Sequence, residues 1–123
     1  MILIAAFAAG GLQAATPVGP PSAALLGAAK DALDRQMFDY PSARFRDVRG
    51  NAMVICGFVN GKNRMGAYGG WKRFAYTELA NDPSLYVEGS DDVDDLMLNG
   101  FCGVDGRRMT GPDYTARIAP SRD

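Results

Sequence analysis

Apolar side chains recur on one helical stripe near residue 25: Leu25, Leu26, Ala29, Leu33, Met37 and Phe38. The spacing predicts an amphipathic helix over residues 22–38, with Lys30, Asp31, Asp34 and Arg35 mostly off the stripe. Ser22 supplies an N-cap oxygen. Tyr40 precedes Pro41, which disfavours helical backbone at Tyr40 and ends the helix; Pro41 then opens one short turn to Arg44. Beyond it the period shortens. Phe45 to Arg49 reads as a first strand, and Gly50-Asn51 as a turn. Ala52 to Val59 reads as a central strand, because Met53-Val54-Ile55-Cys56 is apolar on both faces. A glycine-rich loop follows over residues 60–67, then a third strand, Tyr68 to Thr77. In that strand Trp71, Arg73 and Ala75 face one side and Lys72, Phe74 and Tyr76 the other. Leu85 to Val87 is a short edge strand. Ser90 caps a second helix, 91–101, with Val93, Met97 and Phe101 on one face and Gly103 as its stop.

The ends of the chain follow different patterns. Met1 to Leu12 is an uncharged apolar run, too short for the roughly 20 residues that span a bilayer. With Gln13-Ala14-Ala15 behind it, it reads as a secretory signal cleaved after Ala14, though no basic residues precede it. Residues 15–21 form a proline-set linker. Residues 103–123 are rich in Gly, Pro, Arg and Asp without sustained period, and are expected to be a flexible or loosely docked tail. The expected organisation is thus signal peptide 1–14, linker 15–21, one domain over 22–102, and the tail. Its fold class is α+β: an N-terminal helix, an antiparallel sheet of three or four strands, and a C-terminal helix. A periplasmic or secreted location is expected, with no stable membrane anchor after cleavage.

Composition narrows the chemistry. The 123-residue chain has a formal charge of −1, so no global field draws it to nucleic acid. The charges are segregated: Lys62, Arg64, Lys72 and Arg73 occupy 52–77 without an acid, while Glu78, Asp82, Glu88, Asp91, Asp92, Asp94 and Asp95 occupy 78–102 without a base. The two segments are expected to lie near each other and partly neutralise. There is no histidine. Ser-His-Asp and Cys-His catalysis, imidazole bases and nearly every catalytic zinc site are therefore out of reach. Cys56 and Cys102 are the only cysteines. In an oxidising compartment they are expected to pair, tying the central strand to the second helix. Their separation and apolar setting argue against a redox-active pair.

Three motifs invite functional readings. Gly57 to Asn63 looks like a phosphate-binding loop but has three residues between glycines instead of four, and Asn63 stands where Ser or Thr should follow the lysine. The run Asp91-Asp92-Val93-Asp94-Asp95 could suggest a hard cation, yet lacks a wrapping loop; favourable interaction with the helix N-terminus accounts for it. No cofactor and no metal are expected. The third group is Asn60, Lys62, Asn63, Arg64, Tyr68, Trp71 and Arg73. It interleaves directed hydrogen-bonding groups with large aromatics, as binding surfaces do. Two readings stand: these residues contact a protein or glycan of the cell envelope, or Trp71 and Tyr68 are core while Asn60 and Asn63 satisfy loop backbone.

The block Cys56-Gly57-Phe58-Val59-Asn60-Gly61-Lys62-Asn63, followed by Gly66, Tyr68, Gly69, Trp71 and Phe74, resembles one in small exported proteins of Gram-negative bacteria. In these, a Pro-x-Ala-x-Phe-Arg-like stretch precedes it, as Pro41 to Arg46 does here, and a late cysteine closes the domain, as Cys102 would. The resemblance spans residues 39–102 and implies export, a disulfide and the domain's extent, but no activity. The long tail and the missing basic start depart from it. The functional expectation is a non-enzymatic binding or accessory module acting through the 60–73 hairpin. Alternatives are an inhibitor or immunity-type protein of an envelope enzyme, and a carboxylate hydrolase using Glu78 or Glu88 with an Asp of 91–95.

Overall fold

The computed structural model describes residues 19–121, so the expected signal peptide and most of the linker lie outside the described residues. Helix α1, Ala23–Gln36, starts where Ser22 Oγ accepts the Leu25 amide at 3.0 Å. It buries Leu25, Leu26, Ala29, Ala32 and Leu33. The helix ends two residues early: Met37 donates to Leu33 O but is itself extended, which swings Phe38 out to 57% exposure. A 3-10 turn, Tyr40–Ser42, follows with Pro41 in its first turn.

Four antiparallel strands succeed one another in spatial order: β1 Arg44–Gly50, β2 Val54–Asn60, β3 Lys72–Thr77 and β4 Ser84–Val87. Between Arg46 and Arg49 the register slips: Arg46 lies opposite Phe58, Arg49 opposite Cys56, and two residues face Gly57. Asp47, at φ 52°, takes the left-handed conformation of this bulge. Simple alternation would put Val48 on the same face as Arg46. The extra residue instead turns Val48 into the core beside Phe45, and leaves Arg46 and Arg49 on the other face. Gly57 is required here, since a Cβ would lie 2.7 Å from the Phe74 ring and 2.8 Å from a Val48 methyl.

One face of the sheet carries the main core, where α1 covers Ile55, Val59, Phe74 and Tyr76. Each fully buried side chain of this kind contributes about 1.5–3 kcal/mol. The other face carries helix α2, Asp92–Cys102, over Val54, Cys56 and Ala75. The expected disulfide is present: Cys56 and Cys102 are bonded, their Cα atoms 5.8 Å apart. The fold is therefore α+β, with the C-terminal helix tied to β2.

Several local expectations need correction. The N-cap of α2 is Asp91, whose carboxylate accepts from the Asp94 amide at 2.7 Å, and Ser90 lies one residue outside. The buried stripe of α2 is Leu98 and Cys102, and Val93 is 64% exposed. Strand β3 starts at Lys72 and not Tyr68, because Gly70 turns to φ 102° and gives its N–H to the Asn60 side chain.

The segment after Cys102 is not a loose tail. It folds back along β1, where Tyr114 N–H donates to Val48 O at 2.6 Å and Thr115 Oγ1 accepts from Val48 N–H. A one-turn helix α3, Thr115–Ile118, then drops Ile118, fully buried, between α1 and β1. Tyr40 OH donates to Ile118 O, and Lys30 Nζ to Ala119 O at 2.7 Å. A single isoleucine has no period, so the sequence pattern could not signal this docking.

Candidate functional site

The bulge in β1 decides what stands on the half of the α2-side face that α2 leaves open. Arg44 and Arg46 project from β1, Phe58 from β2, and Trp71 precedes β3. The Arg46 guanidinium lies 4.2 Å from the Trp71 ring centre and 5.7 Å from that of Phe58. Arg107, from the returning C-terminal segment, lies 5.3 Å from Phe58. Farther along, Arg44 and Lys62 both lie over Tyr68, at 4.2 and 5.4 Å. Tyr68 OH donates to Ser42 O at 2.9 Å, which fixes the ring. The result is a layer of aromatic rings carrying cations, with Trp71 37% exposed at its centre. Such contacts are worth about 0.5–1 kcal/mol each at exposed sites, and they hold guanidinium planes still.

The glycine loop is braced from within. Asn63 Oδ1 accepts the amides of Met65 and Ala67, and the Asn63 amide donates to Ala67 O at 2.8 Å. Asn60 Oδ1 takes the Gly70 amide at 3.0 Å, and an isolated bridge pairs Lys62 with Tyr68. Both asparagines therefore serve loop backbone. Met65 is left 91% exposed at the tip, and Arg64 stacks 4.6 Å over Phe38. Lys62, Arg64, Tyr68 and Trp71 thus reach the surface, Lys62 with Tyr68, Trp71 with Arg46, and Arg64 apart from them over Phe38.

Arg73 does not join them. It is 7% exposed and runs inward under α2. There its Nη1 donates to Asn99 Oδ1 at 2.6 Å and to Gly103 O at 3.1 Å, and Nη2 meets Glu88 at 3.4 Å. It places positive charge at the C-terminus of α2, opposite the acidic first turn. The expected neutralisation of hairpin by acidic segment reduces to this one ion pair among the described residues. Asp94 and Asp95 instead accept the amides of Val87 and Gly89, bracing the turn from β4 into α2.

Beside the aromatic layer lies a cleft of about 280 Å³ between the β1 bulge and residues 106–111. Cys56, Phe58 and Met109 line it, with Asp47, Arg49 and Arg107. Asp47 contacts Arg49 at 3.6 Å and Arg107 at 3.5 Å; Arg49 also reaches Gly111 O at 2.5 Å and Asp113 at 3.9 Å. Burial raises the Asp113 pKa, but bonds from the Thr115 hydroxyl and amide, with the charge of Arg49, outweigh it and hold the carboxyl below its usual range.

Sequence reasoning missed Arg44, Arg46, Arg49, Asp47, Phe58 and Arg107. The arginine spacing in Phe45-Arg46-Asp47-Val48-Arg49 carried a signal, since a regular strand would send Arg46 and Arg49 to opposite faces while burying Val48 beside Arg46. Comparison with family models, with curated proteins and with solved structures returns no match for this chain.

Proposed function

We propose that the protein is an exported, non-enzymatic binding module whose 60–73 segment, extended by Arg44, Arg46 and Phe58, engages an acidic protein surface of the cell envelope. The observation that carries this reading is the exposed Trp71 under the Arg46 guanidinium. Burying a tryptophan stabilises a fold, so one held at the surface beside oriented arginines has the composition of a binding hot spot. Among the described residues, Arg44, Arg46, Lys62 and Arg64 form no ion pair with a carboxylate, which leaves their charge for a partner. Export rests on the apolar start and on the resemblance to small exported proteins; the disulfide is in keeping with it.

Five of the six carboxylates considered for hydrolysis have structural partners. Glu78 accepts from Tyr76 OH at 2.6 Å, Glu88 is tied to Arg73, and Asp91, Asp94 and Asp95 accept backbone amides. A second reading, an inhibitor or immunity-type protein, draws on the braced loop with Met65 at its tip, a shape suited to entering an enzyme cleft.

The test is cross-linking of the mature protein to envelope fractions, with Trp71→Ala and Arg46→Ala as controls, each shown by its melting curve to be folded at the temperature of the experiment. A discrete acidic partner captured by the wild type and lost from both variants is expected. Capture that ignores both substitutions removes this surface from the function. Loss on Met65→Asp alone moves the contact to the loop tip and favours the inhibitor reading.

A further inference from the structure

We propose that the cleft between the β1 bulge and residues 106–111 binds a carboxylate bearing a short apolar group, as at the C-terminus of a peptide or in a small free acid. It adjoins the Trp71 surface and shares Phe58 with it, but does not use Trp71 or Arg46. Two features of different kind converge there. The floor is apolar: Phe58, Met109 and the Cys56 end of the disulfide. The rim holds two guanidiniums that meet at Asp47: Arg49, which is also held by the Gly111 carbonyl and by Asp113, and Arg107, whose one carboxylate contact among the described residues is Asp47.

The way Asp47 meets them shows what the site accepts. Its contacts of 3.5 and 3.6 Å are longer than the roughly 2.7–2.9 Å of a well-formed guanidinium–carboxylate bond. The bulge also holds the Asp47 backbone at φ 52°, which limits the directions its carboxylate can take. Arg107 is braced on Phe58 while its side chain remains 58% exposed, so it stays reachable from solvent. A free carboxylate can take the bidentate geometry that Asp47 is held back from, while its apolar group rests on Phe58 and Met109.

Size limits the ligand. At about 280 Å³ the cleft falls just below the usual range for drug-sized molecules, about 300–1,000 Å³, and suits one terminal residue or a small acid. Asp47 then acts as an internal competitor: its charge lowers the affinity for an incoming anion, and removing that charge raises it.

The experiment is amide NMR titration of the full mature protein with N-acetyl-leucine, its amide, and an acetylated tetrapeptide ending in leucine. The free acid is expected to shift Gly106, Arg107 and Gly111 and to bind roughly tenfold more tightly than the amide. Arg107→Ala, at an exposed position that leaves the fold intact, weakens it by about tenfold. Asp47→Asn keeps a residue that tolerates the left-handed conformation and is expected to tighten binding roughly threefold. That gain is the readout that a purely structural Asp47 would not give. Tighter binding of the tetrapeptide than of N-acetyl-leucine assigns the site to peptide C-termini; the reverse assigns it to small acids. Equal shifts with acid and amide, no shifts at residues 106–111, or unchanged affinity in Asp47→Asn overturn the proposal. None of these results touches the partner surface at Trp71, whose own test fails or succeeds separately.

Discussion

On the α1 side of the sheet, Leu26, Leu33, Ile55, Phe74 and Ile118 interlock in one apolar cluster, each 2% exposed or less. On the α2 side, only Val54, Cys56, Ala75, Leu98 and Cys102 are buried together, and the charged Arg73 lies folded in beside them. The first face buries enough hydrocarbon to hold its helix by burial. The second buries less, with an alanine and two cysteines in its cluster flanked by the partly buried Tyr86, Phe101 and Met109, and adds a covalent bond and a buried cation. The contrast bears on where exposed arginines and rings can sit. A face that needs little hydrocarbon to hold its helix can leave its other half to arginines and exposed rings, whereas the α1 face has no area to spare.

The largest effect is expected from cutting the covalent tie. Replacing both Cys56 and Cys102 by Ser releases a loop with a sequence separation of 46 residues, and a loss of about 4 kcal/mol is expected in urea melts. Because the cross-link acts mainly on the unfolded chain, amide exchange across α2 in the Ser variant is the readout of the tie itself: fast exchange is expected, and a helix that stays protected would be held by packing alone. On the opposite face, Ile118→Ala should cost about 3 kcal/mol by opening a cavity between α1 and β1. A loss below about 0.5 kcal/mol would mean that the C-terminal segment is a passive strap. Next is Arg73→Ala, expected to cost about 2 kcal/mol, because Asn99 and the Gly103 carbonyl lose their donor while Glu88 remains partly solvated.

The same contrast explains what the sequence made legible. The α1 stripe, the central strand around Ile55 and the disulfide could all be read, since each rests on a repeating pattern or on a two-cysteine inventory. The bulge could not, because one extra residue in Arg46 to Arg49 leaves composition and period nearly unchanged and shows only in the register. Arg73 was misplaced for a related reason. Alternation put it correctly on the face of Ala75, but the segment charge gave no sign that α2 would cover it. The surface role of Trp71 could be read only as one of two options, since its side chain suits a core equally well. Docking of Ile118 was invisible, because it depends on where a glycine-rich segment happens to return.

Titration offers a smaller probe, specific to the α1 face. Tyr76 is 3% exposed; its burial, then its bond to Glu78, push its pKa up from 10.0 to about 12. An unfolded tyrosine begins to lose its proton near pH 10, while the folded protein keeps the proton on Tyr76 until about 12. The folded state therefore holds the extra proton in that window, and stability is full below it and falls as pH rises through it. Tyr76→Phe is expected to flatten this alkaline decline relative to the wild type, while costing about 1 kcal/mol at neutral pH for the lost bond to Glu78. Parallel urea melts at pH about 8 and about 11 check the slope. An identical decline in both proteins would place the alkaline sensitivity elsewhere.

Trp71 should give the smallest change in stability of all, and that is what makes it informative. It lies two residues before Arg73, yet Arg73 is covered by α2 and Trp71 stands clear of it, 37% exposed. Its ring touches Arg46 and no buried cluster. Trp71→Ala is therefore expected to cost under about 1 kcal/mol, within the range of an exposed cation–π contact. A double-mutant cycle with Arg46→Ala should return a coupling of about 0.5–1 kcal/mol. Since Trp71 is the only tryptophan in the chain, its fluorescence follows the same contact directly. A loss of 3 kcal/mol or more, as truncating a core aromatic would produce, would make Trp71 part of the second core, and the division between a covered half and an open half of this face would fail.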